Sequence, residues 1–370
     1  MRHRFHSICP YFAMFPESFA ESWIDRLSVP GDMVIDPFSG RGTTAFQSLL
    51  MDRRAVATDT NPVAYVLTKA KTRAPSFRRL TKRLDELEEL YQSRPTIRRP
   101  AEAQECRAES EFFSLAFSPA TLREILFLRR ELKYLDTDED CMLAAVMLGS
   151  LHGESTTLPR YLSNQMPRTI STKPAYSVRF WRRHGYEPPK VNAFELLRKR
   201  SEYRYVSSRP RRRGRVFLGD MRELPRKLPS GLAALAVTSP PYLDTTSFEE
   251  DQWLRHWAIG GPASPAEGVY SPDDRLRTRE AYWSFIGDMW RCLGQLVRDD
   301  GHVVIRIAGN KLNDTELEQG LIGTSCLSGR RLQLRSIDSS PIVRRQTDAF
   351  RPGSSGRRVE LDCHLQFADG

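Results

Sequence analysis

Met33-Val34-Ile35-Asp36-Pro37-Phe38-Ser39-Gly40-Arg41-Gly42-Thr43-Thr44 decides the fold class of this 370-residue chain. Met33 to Ile35 reads as a buried strand ending at Asp36, and a helical pattern runs from Ala45 to Met51. A strand, a glycine turn and a helix in succession are what a ligand-cradling loop requires. Gly40 and Gly42 permit tight backbone geometry and close approach of a ligand. Thr43 and Thr44 open the helix, whose free N–H groups favour an anion such as a carboxylate. The spacing is not G-x-G-x-x-G and lacks the G-K-[ST] ending, so a nucleoside triphosphate fits poorly. Ala55 to Thr58 reads as a second strand, and Asp59 ends it about twenty residues past the glycines, where a carboxylate meets a ribose diol. Asn61-Pro62 directly after it leaves a helix-cap role for Asp59 open.

A second motif lies downstream. Leu232 to Val237 reads as another buried strand, and Ser239-Pro240-Pro241-Tyr242 follows it. Adjacent prolines cannot continue a β-ladder, so the strand must end there in a rigid turn. That turn sits at the carboxyl edge, where open α/β sheets bind ligands. It holds a hydroxyl and an aromatic ring. Such a set can grip a planar base with an exocyclic amine: the ring stacks, while the hydroxyl and turn carbonyls accept from the NH2.

Together the two motifs resemble the S-adenosyl-L-methionine-dependent amino-methyltransferases of DNA, which methylate exocyclic amines. The Ser239–Tyr242 form, preceded by Thr238, is most similar to the N4-cytosine branch; the N6-adenine branch more often carries Asp or Asn first. The resemblance implies a Rossmann-like class I methyltransferase sheet of the α/β class, with an inserted, mainly helical and basic recognition region. It also implies roles. Asp36, Pro37, Phe38, Ser39, Gly40, Gly42, Thr43 and Thr44 would surround the methionine part of the cofactor, and Asp59 would hold the ribose hydroxyls. Asp220, after the strand-like Arg215 to Leu218, would lie near the adenine amine, with a simple turn role as the alternative. Ser239, Pro240, Pro241 and Tyr242 would form the catalytic loop, and His6 to Ser18 loosely resembles the cofactor-lid segment. The expected organisation is 1–72 as the cofactor half, 73–213 as the insert and 214–370 as the catalytic half.

The charge pattern supports an insert of that kind. The net charge is +10, yet residues 151–215 alone hold 16 Lys/Arg against 4 Asp/Glu. Residues 73–150 are nearly balanced, with 13 against 14, and Leu80, Leu84, Leu87 and Tyr91 recur at helical spacing. The basic part reads as loop-rich. Its Arg160, Asn164, Arg168, Arg179, Arg182, Arg183, Arg211 and Arg212 are the candidate nucleic-acid contacts: Lys and Arg neutralise phosphates, while Arg and Asn can read base edges. The implied partner is double-stranded DNA, and the implied setting is restriction-modification or host or phage DNA modification, with a cognate restriction enzyme as a further partner. The sequence carries no nuclease signature and assigns no oligomeric state.

Other features narrow the class. The six cysteines are scattered with no C-x-x-C, which argues for reduced thiols, a cytoplasmic protein and no metal centre. No stretch approaches the ~20 apolar residues of a membrane span, and no signal peptide is visible. A C5-cytosine mechanism would need a cysteine where Ser239 stands. Downstream, Glu249 to Ile259 and Arg279 to Val297 read as helices, His302 to Ile307 as a strand, and Ile337 to Arg345 with Val359 to Phe367 as antiparallel edge strands. Three alternatives remain beside N4-cytosine transfer: N6-adenine methylation, guanine-N2 methylation of RNA, and a DNA-binding relative that has lost catalysis.

Overall fold

Apolar alternation along the short strands builds a sheet covered on both faces. A computed structural model describes residues 2–11, 15–94, 98–153, 161–164, 173–243, 252–265, 278–309, 312–341 and 359–368. Among these, seven strands form one sheet: β1 (Met33–Asp36), β2 (Arg54–Asp59), β3 (Arg215–Leu218), β4 (Ala233–Thr238), β5 (Val297–Ile307), β6 (Leu332–Pro341) and β7 (Val359–Phe367). Their order is β3-β2-β1-β4-β5-β7-β6. The first five are parallel; β7 runs antiparallel to β5, and β6 antiparallel to β7. This is the expected Rossmann-like class I methyltransferase sheet. Its order reverses between β1 and β4, and the crevice at such a switch point is where open α/β sheets take ligands.

Side chains alternate between the two faces. Met33 and Ile35 of β1, with Val303, Ile305 and Ile307 of β5, pack in the core built around the helix Arg279–Leu296. Val34, Leu235, Val237 and Val304 point the other way, onto Phe19, Ala20, Trp23 and Ile24 of the helix Glu17–Leu27. The edge strand expected at Ile337 to Arg345 lies further toward the N-terminus, at Leu332–Pro341; residues 342–345 are outside the described set.

The chain divides into two compact units. The sheet unit takes Tyr11–Thr68, Pro210–Thr245 and Ser271–Gly370, and the second takes Met1–Pro10, Lys69–Arg209 and Thr246–Tyr270. The second unit therefore gathers more than the stretch 73–213. It includes the N-terminal turn Arg4–Ser7 and the short helix Trp253–Ala258. Aromatic packing explains that: Trp253 and Trp257 lie fully buried against Phe112 and Phe113, with Phe113 and Trp257 ring centroids 4.5 Å apart. Leu80, Leu84 and Leu87 are the buried stripe of the helix Phe77–Ser93, as their spacing predicts. The basic stretch holds more regular structure than a loop-rich reading allows, namely the helices Pro174–His184 and Ala193–Tyr205.

Candidate active site

Both sequence motifs sit at the carboxyl ends of adjacent strands, β1 and β4. Gly40 and Gly42 adopt φ of +49° and +72°, the left-handed region. A Cβ on Gly42 would meet Thr68 at 2.6 Å from Oγ1 and 2.9 Å from the backbone Cα. Glycine is thus required both by backbone angle and by the close passage of the helix Pro62–Thr72. Thr68 Oγ1 donates to the Gly40 carbonyl at 3.2 Å and lies 3.3 Å from Ser39 Oγ, which fixes the loop from behind.

Two carboxylates frame the loop. Asp36, buried, accepts from Thr238 Oγ1 at 2.7 Å and from the Phe38 N–H at 3.1 Å. Burial pushes it up to about 6, against those two hydrogen bonds. Asp59 accepts from the Gly40 N–H at 2.8 Å and the Asn61 N–H at 2.9 Å. Surrounding protein pushes it up to about 6 as well, although part of its surface stays open to solvent. The strand ends are cross-tied: Thr44 Oγ1 donates to the Val237 carbonyl at 3.0 Å, joining the glycine-loop helix to β4. Pro37 and Thr43 are buried, and the Phe38 ring packs on Phe285 at 5.3 Å, so Phe38 also serves the core.

Asp220 lies just past β3, where the Gly219 N–H donates to the Asp59 carbonyl at 2.9 Å. Its carboxylate accepts from the Arg222 N–H at 2.9 Å and takes both Nε and Nη2 of that guanidinium, at 2.9 and 3.2 Å. It therefore acts as a cap and ion-pair partner at the rim of the same edge.

In the proline loop Pro240 is buried, while Ser239, Pro241 and Tyr242 are partly exposed. Ser239 Oγ donates to Tyr242 Oη at 3.4 Å, and Tyr242 Oη donates to Glu360 Oε1 at 3.0 Å. Burial, and then the Glu360 carboxylate, push the phenol well above its ordinary value, so it stays a neutral donor. Glu360 is held in turn by Arg306 at 3.2 Å, and Arg306 makes a bidentate pair with Asp362, both bonds at 2.7 Å. The Arg306 guanidinium covers the Phe19 ring at 3.8 Å.

The motif reading missed Glu360, Arg306, Asp362 and Thr68, and touched Tyr11 only as part of the loosely matched segment His6 to Ser18. Tyr11 Oη accepts from Asn61 Nδ2 at 3.0 Å, and its ring edge passes near Gly40. One signal was present: Arg306 interrupts an apolar strand, and a charge there demands a partner. The partner is cross-strand, Arg306 facing Asp362 between β5 and β7.

The basic candidates divide. Arg179 and Arg183 are exposed on the helix Pro174–His184, and Arg211 and Arg212 are exposed in the sheet unit. Arg182 is exposed and paired with Glu111. Asn164 must be corrected. It is 7% exposed, and its Nδ2 donates to the Leu115 carbonyl at 2.8 Å while its N–H donates to Ala116 at 2.6 Å, so it braces the fold and cannot reach a base. Arg160 and Arg168 lie outside the described residues. All six cysteines are free thiols, and no described helix is long and apolar enough to cross a membrane.

The donor set suits S-adenosyl-L-methionine. Two destabilised carboxylates can accept ribose hydroxyls and offset a sulfonium charge, and a loop with two left-handed glycines lets a ligand approach the backbone. Sheet order and loop placement define the class I methyltransferase fold. Residues 3–70, which hold the glycine loop and Asp59 but not the proline loop, match the DNA methylase family of N6/N4 type. The Type II methyltransferase M.MjaII of Methanocaldococcus jannaschii is 32% identical over 77 residues, which is 21% of this chain and 14% of that protein. Among solved structures, TrmN from Thermus thermophilus aligns with a TM-score of 0.39 at 10% identity, over 98% of this chain and 52% of its own. The antibiotic-resistance methyltransferase Kmr aligns at 0.33 and 10% identity, over 97% of this chain and 95% of its own. These matches do not divide the N4-cytosine and N6-adenine branches.

Proposed function

We propose that this chain methylates the exocyclic N4 amine of cytosine in DNA, using S-adenosyl-L-methionine. The observation that carries the proposal is the direct tie between the two motifs: Thr238, immediately before the proline loop, donates to Asp36 of the glycine loop at 2.7 Å. A base on the proline loop and a cofactor on the glycine loop are then held by one rigid unit, and such positioning supplies much of the acceleration. The cofactor supplies an electrophilic methyl group on sulfur. Residues of the chain do the rest. Tyr242 stacks on the base, which must leave the duplex because pairing hides its amine. The Ser239–Tyr242–Glu360 chain donates in one direction, toward Glu360, which leaves the Ser239 lone pairs to accept from the amine. The amine proton leaves after transfer, to water or by relay through the Ser239 and Tyr242 hydroxyls to the Glu360 carboxylate. Exposed Arg179, Arg183, Arg211 and Arg212 contact phosphates.

The test is incubation with isotopically labelled S-adenosyl-L-methionine and unmethylated DNA or RNA, followed by nucleoside mass spectrometry. Label in N4-methyldeoxycytidine is the expected result. Label in N6-methyldeoxyadenosine would keep the site and overturn the base; label in RNA alone would overturn the substrate class.

A further inference from the structure

One helix of the second unit sets exposed aromatic rings beside a row of arginines. The helix Pro174–His184 is anchored by Pro174, Ser177 and Trp181, all buried, with the Trp181 ring 5.4 Å from that of Phe112. Tyr176, Phe180 and His184 stand four residues apart, on a stripe beside that anchor, and Arg179 and Arg183 form the next stripe round the helix. Tyr176 is 56% exposed; Arg179, Arg183 and His184 are exposed as well, and Phe180 is half-buried. Ring centroids lie 6.5 Å apart for Tyr176 and Phe180 and 4.2 Å apart for Phe180 and His184. His184 Nδ1 donates to the Phe180 carbonyl at 2.9 Å, which holds the imidazole over that ring. Gly185, at φ +61°, ends the helix, and the Tyr186 N–H turns back to donate to the Trp181 carbonyl at 3.0 Å. The Tyr186 ring, 44% exposed, then sits 5.9 Å from Phe180 and 5.5 Å from His184.

Burial does not account for the outer rings, because Trp181 already fixes the helix and both tyrosines keep much of their surface in water. Residues 173–186 carry four Lys/Arg and no Asp/Glu. Such a run complements a polyanion better than it does a protein surface of mixed sign. Aromatic faces next to cations are what a single strand of nucleic acid requires, since its bases stack on rings while its phosphates meet arginine. A paired duplex hides its base faces in the stack, so a ring can take a base only where the strand is unpaired. We infer that the rings of Tyr176, Phe180, His184 and Tyr186, with Arg179 and Arg183 beside them, bind unpaired nucleotides. The contacts among the rings hold them in place before the strand arrives, which lowers the ordering cost of binding. The inference deepens the proposed function by naming a second form of its nucleic-acid partner. It rests on the nucleic-acid part of that function and is independent of methyl transfer.

Fluorescence anisotropy of the full chain compares three labelled probes: a single DNA strand, the same strand fully paired, and the same backbone with abasic sites in place of bases. The wild type should bind the single strand more tightly than its abasic counterpart. Tyr176→Leu with Tyr186→Leu keeps apolar bulk and removes two ring faces. That variant should bind the single strand at least about fivefold more weakly, with duplex affinity and melting temperature unchanged. Tyr176→Phe with Tyr186→Phe keeps the rings and should bind as the wild type does. Irradiation of a strand carrying 5-iodouracil should crosslink it within residues 174–186, as mapped by peptide mass spectrometry. Duplex binding with equal affinity for intact and abasic strands, or crosslinks confined to other segments, overturns this inference and leaves the proposed function standing. Binding to none of the probes overturns both. A leucine variant altered only in self-association, read by sedimentation velocity, assigns the face to a protein partner and also overturns the inference.

Discussion

Lowering the pH should weaken cofactor binding steeply, for a reason visible in two side chains. Asp36 and Asp59 are both pushed from 3.8 up to about 6, chiefly by burial. A rise of about 2 units corresponds to ~3 kcal/mol for each ionised carboxylate taken singly. The folded carboxyls hold protons more tightly than unfolded ones. They therefore cost the free protein stability in full above about pH 6, and that cost fades as pH falls toward 3.8. Binding has the opposite sign. Ribose hydroxyls and a positive sulfonium favour the ionised carboxylates, so S-adenosyl-L-methionine should bind with constant affinity above about pH 6.5 and progressively less well below 6. At pH 5 one obligatory ionisation weakens binding about tenfold, and two weaken it up to about a hundredfold. Calorimetry in buffers of different ionisation enthalpy reads the same event directly, as release of about half a proton per group at pH 6. Asp59→Asn should lower affinity and halve the logarithmic slope, leaving only Asp36 to titrate. Affinity that stays flat within twofold between pH 5 and 7 would refute the assignment of these carboxylates to the cofactor.

Three further outcomes test the site. Tyr242→Ala should lose stacking of ~1–3 kcal/mol, a roughly five- to hundredfold drop in kcat/KM with cofactor affinity unchanged by calorimetry; Glu360→Gln should show a milder loss, and a Tyr242→Ala enzyme with normal turnover would remove the ring from the base site. Gly42→Ala places a methyl against the backbone of Thr68 at a left-handed φ, so strain of ~1–2 kcal/mol plus overpacking of ~1–3 kcal/mol should lower the melting temperature and the cofactor affinity together, which differential scanning calorimetry and titration report. Arg179→Ala with Arg183→Ala should weaken duplex binding evenly across sequences and reduce the salt slope by about one per residue; an unchanged slope in fluorescence anisotropy would take that helix off the DNA.

The parts of the fold legible in the sequence are those whose cause is local. A strand ended by two prolines, or by an acid and two glycines, declares its own boundary, and β1, β2 and β4 lie where those signals place them; Val359–Phe367 is a strand over the expected residues but lies inside the sheet between β5 and β6, not at its edge. The remaining features depend on partners far along the chain. Tyr242 and Glu360 are separated by 118 residues and Arg306 and Asp362 by 56, and no local pattern joins them. Asn164 misled for the converse reason. Its residue type and basic neighbours suit a base reader, but selection of a side chain for the interior is made by packing, here by the carbonyls of Leu115 and Tyr186 at 2.8 and 3.5 Å. Trp257 was legible as core but not as part of the second unit, because its contacts with Phe113 and Phe117 span more than 100 positions.

The acids at strand ends posed a choice that the geometry dissolves. From sequence, Asp59 reads either as a cap for the helix after Asn61-Pro62 or as a ribose ligand. In the structure one oxygen accepts from the Asn61 N–H and the other from the Gly40 N–H. A carboxylate offers about four lone-pair sites, so two remain. The capping bonds fix the orientation of the group that the ligand would meet, and the same bonds draw the glycine loop toward β2. Asp220 is held differently: its carboxylate accepts from the N–H and both Nε and Nη2 of Arg222, its own neighbour in the turn, whereas Asp59 is held by the loop of the adjacent strand. Local bonds of the first kind are what a turn residue makes anywhere, while the second kind ties two strand ends together, so of the two acids it is Asp59 whose placement the sheet itself dictates.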